Sequence, residues 1–336
     1  ASPSLISATP GSAITAKRFV RNAATGQIML LDNSSRLTLI SSIPMAESWG
    51  VNDSNILNLP FLTIDDFSVN SQLLSAHVSD GTDTYAPING NLWKTTVTNS
   101  AWQLPTPQVF SDGTLSWFNK ATDLPVTAKL HNNYYRIING HAYMTTDSRI
   151  GAAWGINSSS LDSTRIIGMY MPNLYMLTPS FISNGYYYVA DAGKLHKLTQ
   201  PRYSNLGLKT PVMNINDVST VGYPITEWTN PMFRNSQGGT YVIDGGTLRT
   251  FNHLVILSHW TNGATPITAS DNFISMFRLG TPIERAVKAD NSPKIYSAEN
   301  ATKRWITDGF VYRDQYAPFT TVNQSLIDAM PSGPNL

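Results

Sequence analysis

The chain has 336 residues, a formal net charge of +1 and 13% charged residues, so it lacks the basic surface that nucleic-acid binding requires. Apolar residues make up 41% of the chain and aromatic residues 10%, a composition that excludes intrinsic disorder. No run of about 18 apolar residues is present, so no membrane-spanning helix is predicted. The absence of cysteine excludes disulfides and thiolate metal sites.

Residues 1–16 lack the charged start and the continuous apolar run of a signal peptide. This favours a mature N-terminus that remains after removal of a signal peptide or of an upstream domain. The lack of cysteine is compatible with many exported bacterial proteins. We therefore predict an extracellular or cell-surface protein, and we expect it to be monomeric.

A short hairpin pattern recurs along the chain about every 50 to 56 residues, beginning with residues 29–38. Apolar residues alternate on both sides of a turn, and pairs such as Asn139-Gly140 supply the positive φ that tight hairpins need. Six copies of the pattern predict six structural repeats. The aligned turn positions are Ser35, Gly90, Gly140, Gly193, Gly246 and Thr302.

Each repeat continues beyond its hairpin in the same order. A polar residue that caps a helical turn is followed by an apolar pair, as in residues 270–274. A proline-containing link and an apolar strand then open the next repeat. The predicted repeats cover residues 17–72, 73–127, 128–179, 180–230, 231–283 and 284–336.

These repeats predict an all-β fold, a β-propeller of six blades formed as one domain by residues 1–336. Residues 4–14 resemble the end of a repeat, residues 272–283, so we expect the N-terminal strand to complete the last blade and close the ring. A solenoid would need atypical polar repeats at both ends of the chain, and the sequence has none. Because the first and last copies are degenerate, five and seven blades are the alternatives.

A large apolar side chain recurs thirteen or fourteen positions after most of the turns. An aromatic residue that returns in one register is best explained as core between neighbouring repeats, because aromatic side chains bury the most area. We predict that this aromatic column is buried. Its members are Trp49, Trp154, Leu206, Trp260 and Tyr316.

The order of strand, turn, basic or aromatic strand and aromatic-x-Gly is clearest in residues 188–196 and 295–306. It resembles repeats of secreted actinobacterial and related Gram-positive proteins, which often accompany cell-wall amidases or other hydrolases. The resemblance covers most of residues 17–336 and implies an extracellular accessory module of the cell envelope, without ligand residues that carry over. The general shape is also similar to that of six-bladed sugar-binding lectins, although their Arg/Glu/Trp sugar motif is not visible.

The third position after each turn varies between repeats, mostly among aromatic and cationic side chains, and Lys94, Lys197 and Lys303 stand nearby. Sugar rings pack on aromatic faces, and sugar hydroxyls take hydrogen bonds from Arg, Lys and His. The alternative is a solvated strand whose long side chains cover apolar neighbours. We predict that the members of this variable column are partly exposed and bind the ligand: Trp93, Tyr143, His196, Arg249 and Trp305.

Acidic residues give no specific catalytic motif. Asp32, Asp191 and Asp244 recur just before the turns, which indicates turn building, since glycosidases need two individually placed acids. Residues 110–117 resemble the Asp-box of sialidases, but their Asp-Gly spacing is one residue too short. Motifs of serine hydrolases and nucleotide-binding enzymes are absent. We predict a protein that is not an enzyme, with a glycoside hydrolase as the enzymatic alternative.

The sequence predicts no metal and no cofactor. The six histidines show neither HxH nor HExxH spacing. Asp65-Asp66 and residues 80–83 offer oxygen ligands to calcium, but neither has the length of a calcium-binding loop. Turn formation explains both segments better.

Together these observations predict an exported, non-catalytic binding module that recognises a cell-wall or cell-surface glycan. A protein-binding or adhesive scaffold is the alternative, because propeller faces also serve as docking platforms. Large apolar residues exposed together on one face would favour that alternative.

Overall fold

The computed structural model describes residues 18–60, 67–96, 99–156, 174–208 and 213–336. Within these residues the fold is all-β, with six small mixed sheets of four or five strands and short connecting helices. The chain divides into two compact units. One comprises residues 1–130, 137–142 and 160–174, and the other comprises residues 131–136, 143–159 and 175–336.

Each sheet is formed by strands that are consecutive in the chain. The first sheet contains β1 (Phe19–Asn22), β2 (Ile28–Leu31), β3 (Arg36–Leu39), β4 (Ile56–Leu59) and β5 (Ser68–Val69). The second contains β6 (Val78–Ser79), β7 (Thr84–Ile88), β8 (Asn91–Lys94), β9 (Gln108–Val109) and β10 (Asn119–Asp123). The third contains β11 (Thr127–Leu130), β12 (Asn133–Ile138), β13 (His141–Thr145) and β14 (Leu174–Met176).

The remaining three sheets follow in the same way. The fourth contains β15 (Ser180–Ser183), β16 (Tyr186–Asp191), β17 (Lys194–Leu198), β18 (Met213–Asn214) and β19 (Ile225–Glu227). The fifth contains β20 (Met232–Arg234), β21 (Thr240–Asp244), β22 (Thr247–Arg249), β23 (Ile267–Thr268) and β24 (Arg278–Leu279). The sixth contains β25 (Ala286–Ala289), β26 (Ile295–Glu299), β27 (Thr302–Trp305) and β28 (Phe319–Val322).

The five-stranded sheets share one plan. In the fourth sheet, β15, β16 and β17 form an antiparallel meander. The strand β18 then lies parallel to β15 at one edge, and β19 lies parallel to β17 at the other. Because parallel neighbours cannot be joined by a tight hairpin, the chain must cross over between them, and the short helices lie in these connections.

Several helices begin at polar caps, as the sequence predicts. Ser270 Oγ accepts the N–H of Phe273 at 3.1 Å, and Asn323 Oδ1 accepts the N–H of Ser325 at 3.1 Å. These side chains satisfy backbone donors that the first helical turn leaves free. The α-helices are α1 (Ile43–Ser48), α2 (Asn99–Trp102), α3 (Ser148–Ala153), α4 (Gln200–Leu206), α5 (Leu254–Thr261), α6 (Asp271–Ile274), α7 (Gly309–Val311) and α8 (Gln324–Ala329).

The hairpin turns have the predicted positive φ, with one correction in the sixth repeat. Asn139 and Gly140 have φ of 48° and 73°. In the sixth repeat the two turn residues are Asn300 and Ala301, each with φ of 54°. Thr302, which the sequence alignment places at the turn, is already the first residue of β27. An alanine in the left-handed region hid the true register, because glycine usually marks this position.

Each of these turns is hydrogen-bonded to the helix of the preceding repeat. The N–H of Gly193 donates to the carbonyl of Ala153 at 2.9 Å, at the end of α3. The turn therefore satisfies a carbonyl that the helix end leaves without a partner. The same bond joins Gly90 to Ser48, Gly140 to Ala101, Gly246 to Asn205 and Ala301 to Trp260.

The aromatic column is buried, as predicted, and it links successive repeats. Trp154 is 0% exposed, directly follows α3, and donates its indole N–H to the carbonyl of Thr178 at 2.8 Å. Thr178 lies just before the first strand of the next sheet. Equivalent bonds run from Trp49 to Ser75 and from Trp260 to Glu284, while Leu206 and Tyr316 complete the buried column.

The edge of the sixth sheet next to β27 is occupied by the end of the chain. The N–H of Lys303 donates to Pro331 at 2.8 Å, and the N–H of Leu336 donates to Trp305 at 2.8 Å. This is the place that a fifth strand takes in other sheets. Residues 4–14, predicted to complete the last blade, lie outside the described residues.

None of the described helices has the length and apolar character needed to cross a membrane.

Candidate functional site

The variable column lies on the third strand of successive sheets, so each member has its own neighbours. Two of the five side chains are buried, contrary to the prediction that all are partly exposed: Tyr143 is 8% exposed and His196 is 6% exposed. Tyr143 packs against Tyr175, with ring centroids 5.5 Å apart. His196 stacks on Trp228. Aromatic rings from later segments, Tyr175 on β14 and Trp228 just after β19, cover the two positions, which the sequence pattern alone does not reveal.

Trp305 stands one position away from the rest of the column. On β27 the residue that pairs like His196 and Arg249 is Arg304, whereas Trp305 corresponds to Lys197. This correction follows from the turn at Asn300 and Ala301. Successive residues of a strand point to opposite faces, so Trp305 faces away from the side occupied by the other members. Its ring is half-buried and lies 4.3 Å from the ammonium of Lys294.

Arg249 and Trp93 are partly exposed, but Arg249 is held firmly. Its Nε donates to Asp244 at 2.6 Å, and Nη1 donates to the hydroxyl of Thr281 at 2.6 Å. An arginine already engaged by a buried carboxylate has fewer donors left for a ligand. The structure thus gives Arg249 a structural role in the fifth sheet.

Two of the recurring acids, Asp191 and Asp244, join their hairpins to the next repeat. Asp191 accepts the N–H of Ser270 at 2.9 Å, and Asp244 accepts the N–H of Asn323 at 2.8 Å. Both donors are cap residues of a later helix. Burial raises the pKa of Asp191 and of Asp244, although these hydrogen bonds oppose the shift. Asp32 is also buried and accepts from Arg36.

The other acidic segments form turns and contacts within the first unit. Asp80 accepts the N–H groups of Thr82 and Asp83 and pairs with Lys120 at 2.7 Å. In the segment that resembles an Asp-box, Asp112 accepts from Thr114 and from Ser34 of the first hairpin. Asp65-Asp66 lies outside the described residues. In the described part of the chain, no three His, Asp or Glu side chains are grouped as metal ligands.

A cleft of about 410 Å³ opens at one end of the fourth sheet, a volume within the usual range for ligand sites. It lies between the β15–β16 hairpin, the end of β17, the start of α4 and the residues after β19. Its aromatic and charged lining residues are Tyr186, Tyr187, Lys197, Arg202, Glu227 and Trp228.

One wall of the cleft presents aromatic rings. Tyr186 is 50% exposed, and the ammonium of Lys197 lies 3.6 Å from the centroid of its ring. Tyr187 is partly buried and stacks on Tyr203, with centroids 4.4 Å apart and an interplanar angle of 15°. Stacking fixes the orientation of the Tyr187 ring, while the neighbouring ring of Tyr186 remains accessible.

The floor of the cleft contains Trp228, which joins it to the variable column. Trp228 is buried and stacks on His196 with centroids 4.0 Å apart. His196 is also hydrogen-bonded to the hydroxyl of Thr226 at 2.6 Å. Burial, with a smaller contribution from Lys194, lowers the pKa of His196 to about 4. His196 is therefore a neutral support beneath the cleft at neutral pH.

Three charged side chains of the cleft have neither a hydrogen-bond partner nor an ion-pair partner among the described residues. In the described part of the chain, no hydrogen bond or ion pair engages the charged groups of Lys197, Arg202 or Glu227. Arg202 Nη1 is buried without an acceptor, and burial lowers the pKa of this guanidinium. Half-buried charges such as those of Lys197 and Arg202 are normally paired, so these two groups, with the exposed Glu227, are available to a polar ligand.

Sequence reasoning found only part of this cleft. It noted His196 and the neighbouring Lys197, but it missed Arg202, Glu227 and Trp228. The run Tyr186-Tyr187-Tyr188 was the available signal, since the first two tyrosines reach the cleft and Tyr188 is buried.

His196 makes stability depend on pH in a defined window. Its folded pKa of about 4 lies below the ordinary value of 6.5, so the unfolded chain binds the extra proton first as pH falls. The free energy of unfolding should therefore decrease as pH is lowered from 6.5 towards 4. Urea denaturation of the wild type and of His196→Phe, which keeps an aromatic stack, measures this effect. The other histidines contribute equally to both proteins. The wild type should lose more stability than the variant across this window, and parallel curves would contradict the assignment.

A second cavity, of about 490 Å³, has an apolar lining. Met144, Met176 and Met276 line it together with Ile150 and Leu208. The neighbouring strand β14 exposes large apolar side chains, with Met176 65% exposed. Methionine adapts its shape to different apolar surfaces, so this cavity suits an apolar group rather than a sugar.

No protein-family model matches the chain, and no curated protein matches it. Among solved structures, it is similar to a chain of the periplasmic assembly from the ESX-5 inner membrane complex, with a TM-score of 0.17 and 11% identity over 98% of this chain and 96% of that chain. A chain of the intact ESX-5 inner membrane complex gives a TM-score of 0.15 and 9% identity, covering 97% of this chain and 81% of that chain. Likenesses this weak do not bear on fold or function.

Proposed function

We propose that this protein is an exported, non-catalytic module that binds a glycan of the cell wall or cell surface, and that its six sheets are the blades of a propeller. The observation that carries the glycan proposal is the cleft of the fourth sheet. There, the exposed ring of Tyr186 adjoins the unpaired charged groups of Lys197, Arg202 and Glu227.

This combination matches the chemistry of a sugar. One face of a sugar ring is apolar and packs on an aromatic ring, while its hydroxyls donate to carboxylates and accept from guanidinium and ammonium groups. Tyr186 supplies the ring, Glu227 supplies acceptors, and Lys197 and Arg202 supply donors. The rigid support behind the cleft, Trp228 on His196, reduces the entropy lost on binding.

The lining favours binding over hydrolysis. Glycosidases of the common types use two carboxyl groups on either side of the scissile bond. Glu227 is the acid that lines this cleft in the described residues. The buried carboxylates of Asp191 and Asp244 are hydrogen-bonded to the next repeat.

A glycan array probed with the whole chain tests the proposal, followed by titration of the best-bound oligosaccharide. Tyr186→Ala should weaken binding by about 1–3 kcal/mol, the usual loss for a central aromatic contact, with little change in melting temperature. Tyr186→Phe should bind nearly normally, because stacking needs only the ring. Phe310→Ala, which removes an exposed aromatic ring from the sixth repeat, is the matched control.

The partly exposed Trp93 and Trp305 are further proposed contacts, and Trp93→Ala and Trp305→Ala belong in the same titrations. An array without any bound glycan, or normal binding by Tyr186→Ala, would overturn the cleft as a sugar site.

A protein-binding scaffold is the second candidate function, and the methionine-lined cavity favours it. Exposed apolar side chains at β14 and around this cavity suit an apolar segment of a partner protein. The glycan array separates the two functions, because a pure protein-binding scaffold should retain no glycan.

A further inference from the structure

We infer that the ligand of the cleft is an anionic sugar, one that carries a carboxylate or a phosphate, and that Arg202 binds its charged group. This inference rests on the proposed function and specifies the class of glycan.

Arg202 differs from the arginines that pair with acids elsewhere in the protein. In the described part of the chain, six arginines have a carboxylate oxygen within 4.0 Å: Arg21, Arg36, Arg149, Arg249, Arg304 and Arg313. Arg202 has no such neighbour among the described residues, although most of its surface is covered by the protein. An arginine that is covered but not neutralised is costly to the free protein, so a bound anion would remove an existing penalty.

The Arg202 side chain lines two neighbouring pockets, one of which is the cleft. The side chain begins on α4 and separates the cleft from a small inner pocket lined by Leu198, Leu206 and Phe233. The inner side is therefore largely apolar, and Nη1 is sealed from solvent without an acceptor. Arg202 lines the cleft, so an anion bound there would lie beside this guanidinium.

A second cation reinforces the preference. Lys197 lies on β17 directly beside Glu227 of β19, and its ammonium rests over the ring of Tyr186. The lining thus holds two cations and one carboxylate. The exposed Glu227 would accept from hydroxyl groups of the sugar. Arginine binds carboxylate and phosphate oxygens through paired N–H groups, which makes these two anions the matching ligands.

The test uses glycans that differ only in charge. Titration of the whole chain with oligogalacturonate and with its methyl ester isolates the carboxylate, and titration with phosphomannan and with dephosphorylated mannan isolates the phosphate. We expect one charged form to bind at least about tenfold more tightly than its neutral partner, the size of a charge-assisted hydrogen bond.

Arg202→Gln should abolish this preference, and Arg202→Lys should retain part of it. Glu227→Gln should keep or increase it, and Arg313→Gln, an exposed arginine outside the cleft, should leave it unchanged.

Equal binding of charged and neutral forms would overturn the inference, while binding that still requires Tyr186 would keep the proposed function. A second measurement covers the case in which the anion site exists but no glycan binds. Inorganic phosphate should raise the melting temperature of the wild type more than that of Arg202→Gln. If phosphate does so but no glycan binds, the glycan function is overturned and the anion site stands; equal stabilisation of both proteins would overturn the anion site.

Discussion

Trp154→Ala is expected to lower the free energy of unfolding by about 3–5 kcal/mol, the range measured when large buried side chains are truncated. Trp154 is fully buried and packs against Phe181 and Tyr223, with ring centroids 5.9 and 6.1 Å away. Its indole also donates to the carbonyl of Thr178 at the start of the next repeat. The substitution removes both the packing and this bond, and it leaves a cavity between two repeats.

Urea denaturation followed by far-ultraviolet circular dichroism measures this loss. Trp154→Phe retains a ring but removes the N–H donor, so it should cost less than the alanine variant while leaving the carbonyl of Thr178 short of a partner. Trp305→Ala, at a half-buried position, should cost clearly less than Trp154→Ala. Binding of a glycan by folded Trp154→Ala should be nearly normal. A variant that kept its stability and lost binding would move this column from the core to the site.

Gly207→Ala is the second substitution with a large expected effect. Gly207 follows α4 with φ of +59°, and an added Cβ would clash with the backbone nitrogen of Gly246 and lie 2.5 Å from the carbonyl carbon of Gly245. Backbone atoms of the next hairpin cannot turn aside as a side chain can. The two segments would have to separate, which would stretch the 3.2 Å bond from Gly246 to Asn205.

Gly222→Ala is the matched control for Gly207→Ala. Gly222 also has a positive φ, +72°, but an added Cβ there meets no heavy atom within 4 Å. Both variants bear the cost of a left-handed alanine, about 1–2 kcal/mol. The clash should make Gly207→Ala less stable than Gly222→Ala by a further 1–3 kcal/mol or so, as in other overpacked sites. Equal denaturation midpoints would mean that the contact between Gly207 and the hairpin is easily relaxed.

The candidate site shows where prediction from sequence stops. Tyr186 and Lys197 lie on the hairpin strands β16 and β17, but their significance depends on Arg202 of α4, Glu227 of β19 and Trp228, which directly follows β19. Nothing in the local pattern of either segment indicates that these side chains converge. Nor does it indicate which charges remain unpaired, since pairing is decided by neighbours that are distant in the chain.

The sequence by itself determined the features that depend on short-range chemistry. Turn residues such as Asn139-Gly140 have intrinsic backbone preferences, caps such as Ser270 and Asn323 bond within a few residues, and an aromatic repeated in register at Trp49, Trp154 and Trp260 must fill equivalent spaces. Only the tertiary structure decided the rest. The left-handed Ala301 set the register of β27, rings of later strands buried Tyr143 and His196, and the last residues of the chain occupied the edge beside β27. Burial, register and charge neutralisation there depend on which distant segments fold against a residue, and local preferences do not specify that choice.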